Sequence, residues 1–336
     1  MRTVKAFAAN QAGNPLEPFE YQLGPMASND IDIKVEHCGL CHTDLSLRNN
    51  AWGITEFPFV GGHEATGTVI DVGPEVTHVK IGDRVGLGGH SHYCMTCCQC
   101  LNGDHNLCES VQSTVSAGRH GAFADIVRAS GVSVIKLPDN LESRDAGPLF
   151  CAGITVFNPF VKFDIKPTAR IAVLGIGGLG HLALQFGKAW GCHVTALTSS
   201  ASKNDEAKAF GAHEVINSRD PEALAAAAGS FDVILSTVDV ALDWNAIIAM
   251  LKPKGRLHFL GVQAVPAELQ LMPLMFSQLS LSSSLVGSPQ TIADMLEFCA
   301  RHDIKVATEH FPFEKINEAL AHLESGEARY RIVLDN

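Results

Sequence analysis

The segment Gly175-Ile-Gly-Gly-Leu-Gly180 constrains the fold of this 336-residue chain more than any other. The compact apolar run Arg170–Leu174 leads straight into it, and Leu179–Trp190 continues with the apolar spacing of a helix. Gly175 permits a tight turn, Gly177 lets a pyrophosphate approach the backbone, and Gly180 lets helix and strand pack closely. The helix N-terminus then presents free amide donors to phosphates. Gly178 and Leu179 lie in the same turn and complete the candidate cofactor-binding set. Further units follow: strands at Val194–Thr198, Glu214–Ile216, Phe231–Ser236 and Arg256–Leu260, helices at Lys203–Phe210 and Ala241–Leu251, and an outer strand at Leu281–Leu285. This alternation predicts an α/β doubly wound parallel sheet of the Rossmann type. The competing reading is a set of tight turns with no ligand.

The end of the second strand indicates which nucleotide. NAD sites normally place Asp or Glu there to bind the ribose 2′-hydroxyl. Here the sequence is Ser199-Ser200-Ala-Ser-Lys203, with no carboxylate in the slot. Two hydroxyls and a lysine suit a 2′-phosphate, so NADP(H) is expected in preference to NAD(H). The alternative is that Ser199 and Ser200 only cap the following helix.

Before about residue 145 the pattern is different. Strands are expected at Ile31–Val35, Gly67–Val72, Arg84–Leu87, Ala122–Val127 and Val132–Lys136, with a turn at Val79–Asp83. This region reads as a strand-rich, partly closed barrel. Beyond the sheet, Thr291–Ala300 and Phe313–Ser325 read as helices, and Tyr330–Val333 as a strand returning to the first domain.

Ten cysteines divide into three groups. Cys94, Cys97, Cys100 and Cys108 are spaced C-x2-C-x2-C-x7-C, enough thiolate to enclose one tetrahedral zinc. Cys98 breaks the pattern and is not assigned as a ligand; a redox-active thiol loop is the competing reading. Cys41, His63, Glu64 and Cys151 form a scattered second set, of which Cys2His leaves one zinc position open. Spacing alone leaves buried, unliganded cysteines open as the alternative. Cys38, Cys192 and Cys299 sit in apolar surroundings and read as core.

The formal net charge of -11 argues against nucleic acid as a partner. No charged leader and no run near 18 apolar residues is seen, so a soluble, cytoplasmic protein is expected and no membrane. A reducing cytosol also favours metal over disulfides for the cysteine cluster.

The joint order of these segments is specific. With Gly39-Leu-Cys-His-Thr-Asp44, Gly61-Gly-His-Glu-Ala-Thr-Gly67, the four-cysteine run, the glycine turn and Ser199–Lys203, the chain resembles the zinc-dependent medium-chain alcohol dehydrogenases, most closely the cinnamyl alcohol dehydrogenase branch. The resemblance implies a GroES-like catalytic domain from 1–148 and 290–336, with a structural zinc lobe at 90–110, and an inserted Rossmann NADP(H)-binding domain at 149–289. It implies two zinc ions per chain: a catalytic one on Cys41, His63 and Cys151, with Glu64 able to enter the shell, and a structural one on Cys94, Cys97, Cys100 and Cys108. It implies a homodimer through the outer strand of the nucleotide domain, for which Leu279–Val286 is the candidate; a core strand under a helix is the alternative.

The resemblance further implies reversible hydride transfer between NADP(H) and small hydrophobic primary alcohols and aldehydes, aromatic, cinnamyl-type or medium-chain aliphatic. Thr43 would relay the alcohol proton, since a hydroxyl both donates and accepts. His42 would contact the cofactor pyrophosphate. Asp44 would take a hydrogen bond from His63 and fix its tautomer; a helix-start role is the alternative. Many relatives carry a histidine three residues after the relay hydroxyl, where this chain has Ser46, so water or Ser46 would carry the outer leg. Trp52, Phe57 and Leu285 are candidate pocket residues, with a core role for Phe57 equally open. A polyol or secondary-alcohol dehydrogenase is the second reading, and a nonenzymatic nucleotide sensor the third.

Overall fold

The computed structural model describes residues 2–116, 118–262 and 266–336. Its contacts separate two compact units, Met1–Ile154 with Val286–Asn336, and Thr155–Leu285. Against the expected breaks at 148/149 and 289/290, the chain passes from one unit to the other inside the helix Ala152–Lys162, and returns just before the helix Pro289–His302.

In the second unit, six parallel strands line up as Glu214–Asn217, His193–Thr198, Arg170–Leu174, Phe231–Ser236, Leu251–Phe259 and Ser280–Ser283. In chain order this is 3-2-1-4-5-6, the arrangement of a dinucleotide-binding sheet. Ile171, Ala172 and Val173 are completely buried, as expected for a strand covered on both faces. Helix Gly180–Trp190 returns over the sheet and stops at Gly191, whose φ of 106° only glycine adopts readily. The helix expected at 241–251 is shorter, Trp244–Ala249, because Asp243 caps it and Leu251 already starts the next strand.

The first unit is built on a seven-stranded sheet with Asp30–Leu40 at its centre. This strand pairs with Ala65–Val72, with Ile126–Ser130 and with the terminal strand Arg331–Asp335. Ile31, Ile33, Val35, Val69, Val85 and Leu334 fill the core beneath it. The strand expected at 122–127 starts only at Ile126. Ala122 and Phe123 instead donate to the carbonyls of Gly62 and Gly61, and Phe123 fills the space that side chains at those glycines would take. Similarly, Gly131–Ser133 is a 3-10 turn, and the strand is Val134–Lys136. Among the elements that escaped the sequence pattern are the hairpin Arg2–Ala8 with Glu17–Leu23, and the strand Thr308–Pro312 beside the terminal strand.

Candidate metal centres and nucleotide cavity

Where the long strand ends, Cys41 caps the helix His42–Arg48. Asp44, three residues on, folds its carboxylate back. Oδ2 accepts the Cys41 N–H at 3.0 Å, and Oδ1 accepts the Gly62 N–H at 2.9 Å and lies 3.1 Å from His63 Nδ1. One carboxylate therefore serves both the helix start and the histidine, the two roles weighed for Asp44. With its proton on Nδ1, His63 presents the Nε2 lone pair elsewhere.

That lone pair is buried, and neither Nε2 nor Glu64 Oε2 has a hydrogen-bond partner among the described residues. Buried polar atoms are rarely left so, and an ion is a standard explanation. One ligand atom from each of Cys41, His63, Glu64 and Cys151 lies within 4.8 Å of the others. The two sulfurs are 3.9 Å apart. Their contact with each other holds the Cys41 thiol well below its ordinary range and pushes Cys151 well above it. Burial opposes a charge on His63, but Asp44 and the Cys41 sulfur together outweigh it and raise the imidazole well above its ordinary value. Two thiols and an imidazole aimed by a carboxylate make a three-donor set that fits zinc with one position open, and Glu64 stands beside it.

Arg331 enters this site unannounced by the sequence, 267 residues from the glutamate it holds. The terminal strand lies antiparallel to the strand ending at Leu40, with Ile332 opposite Leu40. That register brings Arg331 Nη2 onto Glu64 Oε1, both side chains buried. Burial raises the Glu64 pKa while Arg331 draws it down, and burial prevails. Gly39 makes room, since a Cβ there would stand 2.0 Å from Glu64 Oε2. Thr43 and Ser46 are half-buried on the same helix, and His42 is exposed.

The second cluster is local. One sulfur from each of Cys94, Cys97, Cys100 and Cys108 lies within 4.8 Å of the rest, and exposed Cys98 stays outside. Backbone N–H groups point at the sulfurs: Cys97 to Cys94 at 3.3 Å, Cys100 to Cys97 at 3.5 Å, Cys94 and Ser110 to Cys108 at 3.4 Å each. Such donors favour thiolate, and the N–H groups of Thr96 and Cys97 bring the Cys94 pKa down to about 6. Four converging thiols with no open position suit a closed, structural zinc.

In the other unit, the glycine turn and the end of the second strand border one cavity of about 350 Å³. Gly175 has φ 89°, and a Cβ on Gly180 would stand 1.9 Å from the Gly175 carbonyl oxygen, so both positions need glycine. Nothing lies within 4 Å of a Cβ at Gly177, which leaves that backbone open to a ligand. Gly178, Leu179, Ser199, Ser200 and Lys203 line the same cavity. Ser200 heads the short turn Ala201–Lys203, but its hydroxyl makes no capping bond; it pairs with Ser202 at 2.8 Å. Lys203 Nζ donates to the Ile176 carbonyl at 2.9 Å, tying this turn to the glycine loop. Arg219 also lines the cavity, a residue the sequence pattern did not single out.

The pocket candidates separate. Phe57 packs with Leu47, Phe59 and Val115, which is the core role. Trp52 is 42% exposed. Leu285 is exposed in the nucleotide unit, beside Phe259, Leu260 and Gly261. The outer strand is Ser280–Ser283 rather than 281–285, and it sits at the sheet edge rather than beneath a helix.

Comparison with known proteins gives a consistent result. Residues 27–139 match the family model of the alcohol dehydrogenase GroES-like domain, and residues 178–301 that of the zinc-binding dehydrogenases. An aldehyde reductase, AdhA, of Synechocystis sp. is 56% identical over 333 residues, covering 99% of both chains. Cinnamyl alcohol dehydrogenase 7 of Arabidopsis thaliana is 36% identical over 98% of this chain and 94% of its own. Among solved structures, a cinnamyl alcohol dehydrogenase of Sorghum bicolor superposes with a TM-score of 0.95 at 35% identity, over 99% of this chain and 98% of that one. The expected architecture, a GroES-like domain with a Rossmann domain, is the one found.

Proposed function

Because the chain belongs to the zinc-type medium-chain dehydrogenase/reductase family, we propose that it is an NADP(H)-dependent zinc oxidoreductase interconverting small hydrophobic primary alcohols and aldehydes. Aromatic, cinnamyl-type and medium-chain aliphatic pairs are the substrate class, with aldehyde reduction the favoured direction. The observation that carries the reading is the convergence of Cys41, His63 and Cys151 with His63 Nε2 buried and unpartnered. The similarity to a cyanobacterial aldehyde reductase and a plant cinnamyl alcohol dehydrogenase supports the substrate class.

Cys41 and Cys151 as thiolates and His63 through Nε2 would hold the catalytic zinc, and Asp44 fixes the tautomer that would let His63 do so. Zinc in that set supplies Lewis-acid polarisation of the substrate oxygen, and the nicotinamide supplies or takes the hydride. Glu64, held through Oε1 by Arg331, keeps Oε2 beside the residues that would ligate the metal, where it could enter the shell. In oxidation, Thr43 Oγ1 would accept the proton leaving the alcohol while its own proton passes on toward solvent. Ser46 or water carries the outer leg. The Gly175–Gly180 turn would cradle the pyrophosphate, and Ser199, Ser200 and Lys203 would receive the 2′-phosphate. Trp52 offers an indole face to aromatic substrates.

Cys94, Cys97, Cys100 and Cys108 hold a structural zinc. The chain pairs as a homodimer along the Ser280–Ser283 edge. All ten cysteines are free thiols, which fits a reducing cytoplasm. No helix among the described residues is long and apolar enough to cross a membrane.

Zinc analysis and kinetics on protein purified under reducing conditions test this. The expected result is two zinc ions per chain, reduction of cinnamyl or benzylic aldehydes, and higher kcat/KM with NADPH than with NADH. Cys41→Ser should keep one zinc and lose turnover. Retained turnover at one zinc per chain, or equal efficiency with NADH, would overturn the corresponding assignment.

A further inference from the structure

We propose that Arg219 is a second cationic anchor for the 2′-phosphate of NADP(H) and sets cofactor specificity together with Lys203. The proposal rests on the NADP(H) reading above and adds a residue to it.

The sheet register places Arg219. Strands His193–Thr198 and Glu214–Asn217 run parallel, with Thr198 opposite Asn217. The Ser218 N–H donates to the Thr198 carbonyl at 3.1 Å. The chain therefore leaves both strands side by side at their carboxyl ends, where ligands of such sheets bind. Ser199 and Ser200 follow one strand, Ser218 and Arg219 the other, and all four line the cavity of the glycine turn.

Charge explains why one cation does not suffice. A 2′-phosphate brings close to two negative charges and three acceptor oxygens. Lys203 already directs one N–H to the Ile176 carbonyl, so it offers fewer donors than a free ammonium. The serines supply hydroxyls but no charge. A guanidinium supplies full charge and a planar fork matched to phosphate oxygens.

Arg219 has no ion-pair partner among the described residues. Its N–H is held by Asn217 Oδ1 at 3.0 Å, which fixes where the side chain starts. The adjacent Asp220 caps the next helix, accepting the N–H groups of Glu222 and Ala223 at 3.0 and 3.2 Å. The carboxylate in the cavity wall, Asp239, follows Phe231–Ser236, three places along the sheet from Glu214–Asn217. At about 4.8 Å per strand, the ends of those two strands stand roughly 14 Å apart.

The test uses the zinc-loaded enzyme with Arg219→Gln and Arg219→Lys. Steady-state kinetics give the ratio of kcat/KM for NADPH over NADH, and calorimetry gives the affinity ratio of 2′,5′-ADP over 5′-AMP. Arg219→Gln should lower both ratios about tenfold or more, and Arg219→Lys should restore part of the loss. If wild type prefers NADPH and Arg219→Gln leaves both ratios where they were, Arg219 is not an anchor while the NADP(H) reading survives. An equal loss for both cofactors also overturns the proposal, because it marks a structural role. A wild type that binds 2′,5′-ADP no better than 5′-AMP removes the NADP(H) reading itself.

Discussion

Asp44 and His63 meet through Oδ1 and Nδ1 at 3.1 Å, inside a site where Asp44 is 1% exposed. The same carboxylate accepts two backbone N–H groups, so all its neighbours are donors. Asp44→Asn replaces one oxygen by an NH2 that must face a donor. Metal affinity at the Cys41–His63–Cys151 set should fall 10- to 100-fold, about the effect of losing an outer partner of a ligating histidine. Zinc retention across a chelator series measures it. Wild-type retention in the Asn variant would show that the carboxylate does not set the imidazole.

Gly39 and Glu64 are coupled by space. A Cβ at position 39 would stand 2.0 Å from Glu64 Oε2 and 2.9 Å from Glu64 Cβ. Glu64 cannot swing away cheaply, because Arg331 holds its other oxygen in a buried pair. Gly39→Ala should destabilise the first unit by about 1–3 kcal/mol, the usual cost of overpacking, and disturb zinc exchange as well. Thermal unfolding with and without excess zinc reads both effects. An unchanged unfolding midpoint would mean that the glutamate relocates freely.

The legible parts of this chain were those with local patterns. Arg170–Leu174, Phe231–Ser236 and Arg84–Leu87 are found at the residues read from the sequence, because buried strands bounded by turns announce themselves. The four-cysteine lobe is legible for the same reason, its ligands lying within one loop. Arg331 and Arg219 were not legible. Arg331 reaches Glu64 only through the register of two distant strands, and Arg219 reaches the cavity only because two parallel strands end together. No residue spacing encodes either pairing. The strand expected at 122–127 failed for a related reason: the alternation was present, but Phe123 was needed to cover Gly61 and Gly62.

His258 gives the nucleotide unit a pH dependence. It is fully buried, with Nδ1 2.8 Å from Ser282 Oγ and Nε2 3.0 Å from Ser284 Oγ. Burial, reinforced by Arg256, holds its pKa down to about 4. In the unfolded chain the same ring takes a proton near the ordinary value of about 6.5. Between those values the unfolded state binds more protons, so stability rises with pH there. The contribution is fully present above about 6.5 and is lost as pH falls toward about 4. Wild type should therefore lose stability relative to His258→Gln across that interval, on the order of 2 kcal/mol by denaturant unfolding. Parallel profiles for the two proteins would refute the assignment.

The outer edge of the nucleotide sheet predicts the oligomer. Among the described residues, Ser280–Ser283 pairs on one side only, with Arg256–Phe259. Its other side offers a row of backbone donors and acceptors, a template for a second strand. Next to it in the chain, helix Leu271–Ser277 turns Leu271, Met272, Met275 and Phe276 outward, Phe276 at 82% exposure. Large side chains so exposed on one short helix beside an open strand edge are what a partner surface supplies before assembly. A second copy fits because a two-fold axis brings the same edge and the same apolar helix together. Met275→Asp with Phe276→Asp should shift sedimentation from dimer to monomer, since two carboxylates per chain would be buried without partners. Retained binding of 5′-AMP serves as the folding control, because the glycine-turn cavity lies in the same unit as the two substitutions. A variant that remains dimeric with 5′-AMP binding retained would place the interface elsewhere on the chain.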